Sequence, residues 1–263
     1  MPIRDPSPAA LACLALAFAM LWVPVGQHAF LLLGWMKLGT FMAPFLVFAA
    51  LAFRGRGAAE SVRLMALGLL IAYIAHQFEE HWIDLYGEIY AFRGSVNALL
   101  LEALGADPGA EGPLTEAAVF VINTALVWLV AALAIWAGPA HVFPTLAMAG
   151  IVLVNAVSHI AAGLSAGAYN PGLLTAVVLF LPAAAFVYWR LLADGRARGA
   201  GVALSLAWAV LAHAIMIAGI IAANWLKIVP EAAYFLALVL WSILPSVPAL
   251  RQSLRPGTAN PPA

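Results

Sequence analysis

This chain carries very little charge. Only 9% of its 263 residues are Asp, Glu, Lys or Arg, where soluble domains hold about 25%. A water-covered globule is therefore excluded. Twelve basic residues balance twelve acidic ones, so no basic surface stands ready for nucleic acid. The single cysteine, Cys13, excludes an internal disulfide and a cysteine-ligated zinc cluster. In place of charge the chain has apolar residues, 65% of the total. They fall into runs near the length of about 20 residues that crosses a bilayer core. The fold class that follows is all-α: a polytopic integral membrane helical bundle of about eight transmembrane helices.

The expected spans are 9–35, 38–53, 62–83, 115–137, 143–164, 171–192, 201–224 and 231–250. The first resembles a signal peptide but continues towards Trp35 without a small-residue cleavage site, so it reads as a retained span. Residues 1–252 form one transmembrane domain, and the Pro-rich polar stretch 253–263 reads as a disordered tail. Basic residues favour cytoplasmic loops. Arg54, Arg56 and Arg63, then Arg190, Arg196 and Arg198, then Arg251 and Arg255 mark one side, and Arg4 precedes the first span. The connection 84–114 is instead acidic. This charge pattern places both termini in the cytoplasm, with Lys37 and Lys227 as lone exceptions. Within the outer connection, Ser95–Leu104 reads as a short amphipathic helix and a possible lid, with Leu99, Leu100, Leu101 and Leu104 as apolar anchors.

One stretch contradicts the apolar pattern. His76-Gln77-Phe78-Glu79-Glu80-His81 closes the third expected span. An ionisable group at a bilayer helix centre costs about 2.5–3.5 kcal/mol on insertion scales and marks a functional site by default. Residues three and four apart share a helix face. His76, Glu79 and Glu80 therefore project to one side, and Asp84 continues the stripe. The assumed orientation puts Gln27, His28, Asn123, Asn155 and His159 in the same outer half, with His213 nearer the midplane.

Imidazole and carboxylate at this spacing can hold a divalent metal, zinc or iron, with further ligands from other helices. The candidate ligands are His76, Glu79, Glu80 and His159, then His28 and His213. Asn155, one turn before His159, can orient a ligand or substrate. A cation would let both carboxylates stay ionised, one as ligand and the other as general base on a water that the ion polarises. Two blander readings stand beside this one. Glu79, Glu80, His81 and Asp84 would be the wetted end of a helix, and His159 a hydrogen-bonded interhelical histidine. Tyr169-Asn170-Pro171-Gly172 likewise reads as a turn, with Asn170 capping the sixth span, or as a wall of the pocket with Tyr169 as a catalytic candidate.

Taken in order, His76-Gln77-Phe78-Glu79-Glu80, the later His159 and Tyr169-Asn170-Pro171-Gly172 resemble the three signatures of the HXXEE-motif family, integral membrane proteins found mostly in bacteria. The resemblance covers about residues 60–190. It implies that His76, Glu79, Glu80, His159, Tyr169, Pro171 and Gly172 are marked positions, and it leaves the reaction open. From the residues, the expected function is a metal-dependent, hydrolase-like enzyme acting on a membrane lipid or apolar small molecule. The alternatives are a proton- or cation-coupled transporter, and a metal-free isomerase or lipid- or pigment-binding subunit.

Overall fold

The computed structural model describes residues 28–53 and 58–253. Among them, seven helices are long and apolar enough to cross a membrane. We number the helices α1 (His28–Phe53), α2 (Ala58–His81), the short α3 (Ala91–Ala103), α4 (Glu116–Ala140), α5 (Phe143–Ala166), α6 (Leu173–Ala193), α7 (Gly199–Trp225) and α8 (Glu231–Ser253). The protein is a polytopic helical membrane bundle. The expected first span lies outside the described residues as far as residue 27, together with Cys13 and Gln27. Arg54, Arg56, the tail from 254 and the side chain of His28 also lie outside them.

The structure replaces the expected break at Lys37 with one continuous helix. Nothing in Gly34–Gly39 interrupts the backbone ladder, and the Lys37 ammonium lies 5.4 Å from the Trp82 ring centroid. Such a contact lets a lysine stay in a helix near the membrane edge. The other boundaries move by a few residues.

Membrane helices pack closely where small residues let backbones approach. Gly150 on α5 faces α7 so tightly that a Cβ there would lie 2.9 Å from the Ser205 carbonyl oxygen. Gly39 on α1 accepts the Trp128 indole of α4 in the same way, at 2.8 Å. α4 is the most enclosed of the seven and α1 the least.

Three helices widen into π turns, and all three do so towards the same end of the bundle: Ile122–Leu129 in α4, Ala176–Phe180 in α6 and Ile221–Trp225 in α7. In α6 the cause is visible. Pro182 has no N–H for the carbonyl one turn back, and the wider turn just before it takes up the defect. Such turns recur at functional sites.

The connection from 82 to 115 crosses this end of the bundle. Asp84 Oδ1 accepts the Tyr86 and Glu88 N–H groups, and Ile83 pairs with Ile89. α3 then lies across the bundle with Leu99 exposed and Leu101 buried. Asn97 fixes the return: its Nδ2 donates to the Leu114 carbonyl (3.1 Å) and its Oδ1 accepts the Leu114 N–H (2.8 Å). Thr115 caps α4 by accepting the Ala118 N–H at 3.0 Å. Asn97→Ala should leave two backbone groups of Leu114 unpaired, at a cost of about 1–3 kcal/mol. The expected result is a lower melting temperature in detergent and faster proteolysis between 104 and 113. Wild-type behaviour in both assays would refute this role.

Candidate metal centre

The last two turns of α2 carry a fully polar face into a dry interior. His76, Gln77, Glu79, Glu80 and His81 are all buried, His76 completely. A buried carboxylate without partners is costly, so its contacts explain the arrangement.

Glu79 and Glu80 are neighbours in sequence but do different work. Glu79 turns to the start of α6. Its Oε1 accepts the Tyr169 hydroxyl (2.9 Å) and the Leu174 N–H (3.0 Å), while Oε2 accepts the Thr175 N–H (2.8 Å) and the Thr175 hydroxyl. Four donors occupy the roughly four lone-pair sites of a carboxylate. Glu79 thereby caps α6 from another helix, where the free N–H groups and the helix dipole favour negative charge. This corrects two expectations. Asn170 is not the side-chain cap, and Glu79 has no lone pair left to serve as ligand or base. Tyr169 is a positioning residue, accepting the Leu85 N–H at 3.0 Å as it donates to Glu79. Burial, and the adjacent Glu79 carboxylate, hold its phenol well above the ordinary value, so it remains a donor.

Glu80 faces histidines. Its Oε1 lies 2.9 Å from His159 Nε2 and 3.3 Å from His76 Nε2, and its Oε2 lies 3.3 Å from His81 Nε2. The protons on these rings follow from the far side of each. The Thr175 hydroxyl spends its one hydrogen on Glu79, so at 2.7 Å it accepts from His76 Nδ1–H. Asn170 Nδ2 donates to the His159 carbonyl (3.0 Å), so Asn170 Oδ1 is the acceptor for His159 Nδ1–H at 2.7 Å. A third chain starts from an indole, which can only donate. Trp128 Nε1 donates to Gln77 Oε1, Gln77 Nε2 to Asn123 Oδ1, and Asn123 Nδ2 to the Val119 carbonyl and to His81 Nε2. These networks assign each ring's neutral tautomer.

In these neutral tautomers His76 and His159 therefore turn Nε2 lone pairs towards Glu80, while the Nε2 lone pair of His81 is taken by Asn123. His76 Nε2 is buried without a hydrogen-bond partner. A cation resolves this arrangement. One ligand atom each from His76, Glu80 and His159 lies within 4.8 Å of the others, so the three can hold a metal ion. Two histidines and one carboxylate are a donor set used by catalytic zinc sites and by non-haem iron. The outward Nδ1–H bonds to Thr175 and Asn170 match the second layer that orients metal-binding imidazoles. Gly172 completes the cradle. Its φ is +94°, and a Cβ there would lie 2.8 Å from Glu80 Cγ, His76 Cε1 and His159 Cε1. Phe180 and Tyr73 wall the His76 ring, at 4.2 and 5.7 Å between centroids, and Phe92 of α3 covers His81 at 4.9 Å.

Of the other expected site residues, Asn155 and His213 lie outside this cluster but line the cavity beside it. His81 is buried against Glu80 and is not a wetted helix end. The sequence reading did not single out Thr175 or Trp128. Thr175 left one signal, as the only polar residue in the apolar run 173–180. Trp128 left none among the nine tryptophans.

Fold and site together define a membrane-embedded helical protein with a buried histidine–carboxylate centre. Residues 67–187 match the model of a family described as protein of unknown function with HXXEE motif. The match falls where the three signatures lie, and it contains the whole cluster, while α7 lies beyond it. No curated protein and no solved structure matches the chain.

Gly172→Ala should be severely disruptive. A non-glycine residue at this φ costs of order 1–3 kcal/mol before any clash. A drop in melting temperature larger than that of Gly94→Ala is expected, because a Cβ at Gly94 meets nothing within 4 Å. Equal melting temperatures would refute the close approach.

Proposed function

We propose that the protein is a membrane-embedded, metal-dependent enzyme of hydrolase type, acting on a lipid-like or other apolar substrate. The observation that supports this reading is the convergence of His76 Nε2, His159 Nε2 and Glu80 on one point, with both outer imidazole protons already committed. Either zinc or iron suits this donor set. When bound, the ion supplies Lewis-acid polarisation of a carbonyl and of a water.

The chain supplies the rest. His76 and His159 keep their Nε2 lone pairs aimed inward because Thr175 and Asn170 hold their Nδ1–H groups. Glu80 directs Oε1 at both rings and keeps Oε2 towards His81, which makes Oε2 the place to take up a proton from water. In hydrolysis the water oxygen adds to the carbonyl carbon, the bond to the leaving group breaks, and the proton held at Oε2 passes to that group. Phe92, Tyr73 and Phe180 keep bulk water out. In this reading, which the basic loops support, this end of the bundle lies on the non-cytoplasmic side of a bacterial inner membrane, with α3 as its lid.

Elemental analysis of purified protein tests the reading. About one transition-metal ion per chain is expected, lost in Glu80→Ala and in His159→Ala. Glu79→Gln should retain part of the metal while lowering stability, since it breaks a cap and not a ligand. Metal-free protein, or metal that survives both ligand substitutions, would overturn the assignment. Cation flux into liposomes without turnover would favour a carrier instead.

A further inference from the structure

Beside the cluster lies a cavity of about 350 Å³, bounded by α3, α4, α5 and α7 and reaching Glu80 and His159 at one end. Its volume falls within the range of about 300–1,000 Å³ typical of small-molecule sites. The walls are aliphatic and aromatic: Val96 and Leu99 from α3, Leu126 from α4, Ile151 from α5, and Met216 and Ile220 from α7. Leu99 is 53% exposed and Ile217 45%, and Ser158 is also exposed. These three mark a mouth where α3, α5 and α7 meet the outside of the bundle.

Two polar side chains interrupt this lining without belonging to the cluster. His213 Nδ1–H donates to the Ala209 carbonyl at 2.8 Å, which leaves Nε2 as an acceptor. Asn155 Oδ1 is buried with no hydrogen-bond partner. Both residues line the cavity, so each brings to its edge an acceptor that no protein group satisfies. An apolar chain alone would leave them unsatisfied, at a cost that disfavours binding. A chain that brings its own donor satisfies them.

We propose that this cavity is the substrate subsite, that it takes a single aliphatic chain bearing a neutral hydrogen-bond donor such as a hydroxyl group, and that Asn155 and His213 recognise that donor. The inference rests on the enzyme reading above and adds the chemical class of what enters. It makes His213 a specificity-determining residue and not a metal ligand. A polar site built for a donor discriminates strongly against an analogue lacking it, since its acceptors are then buried unpaired.

The test uses the full chain in lipid nanodiscs with radiolabelled lauryl alcohol, competed by unlabelled alcohol or by lauryl methyl ether, which keeps the chain and loses the donor. The alcohol should compete about tenfold or more better than the ether. His213→Phe and Asn155→Leu should each remove most of that difference, with metal content unchanged. Ser158→Phe, at the exposed mouth, should block both ligands without touching the core. Alcohol and ether of equal potency, or full discrimination retained in both polar variants, would overturn the inference. Metal content measured on the same samples separates the two failures. Equal potency of alcohol and ether on the wild-type protein with the ion bound refutes only the subsite, and absence of the ion from the wild-type protein refutes the enzyme reading.

Discussion

Four donors on one carboxylate hold this site together. Glu79 receives the Tyr169 hydroxyl, two N–H groups at the start of α6 and the Thr175 hydroxyl. Because α6 begins against α2, its first turn can deliver Thr175 to His76. The same turn brings Gly172 within van der Waals reach of both imidazoles and of Glu80. A buried ion left without partners is costly, and removing one side of a buried pair costs about 3–5 kcal/mol. The cap is thus both a structural joint and the reason the neighbouring carboxylate is free for other work.

Direction is what the surrounding network adds. Trp128 can only donate, so every amide between it and His81 has a determined orientation. Asn170 is oriented by the His159 backbone carbonyl, and Thr175 by Glu79. In a low-dielectric interior such chains are strongly directional, because a reversed member would leave a buried donor or acceptor unmet. The result is a pocket of lone pairs around Glu80, and a cation is the ligand that such a pocket suits. The π turns of α4, α6 and α7 gather at the same end. Irregular backbone is tolerated at membrane depth where it is buried in protein or lines a cavity.

Much of this was legible from residue order. The apolar runs gave the last six spans within a few residues, since helix length in a bilayer follows from thickness and rise per residue. The run at 76–81 announced a site because its cost in hydrocarbon demands a purpose. The i, i+4 spacing of His76 and Glu80 places them on one face, and they do meet, at 3.3 Å. The continuous helix through Lys37 was not legible, because a charge in an apolar run looks like a loop until an aromatic partner such as Trp82 is found for it. The separate duties of Glu79 and Glu80 were equally hidden, since adjacent carboxylates are chemically alike.

By itself the sequence determined a helical membrane bundle with an ionisable patch at one end, because hydrophobicity and helical period are local properties. Only the tertiary structure decided which carboxylate is satisfied and which is left facing three histidines. It also decided which ring nitrogens carry protons and which polar groups line an apolar cavity. The partners that settle these questions lie far away in the chain, with His159 79 residues from Glu80 and Thr175 96 residues from Glu79. A proton or lone pair takes its direction from the atom it meets, and no spacing within one helix supplies that atom.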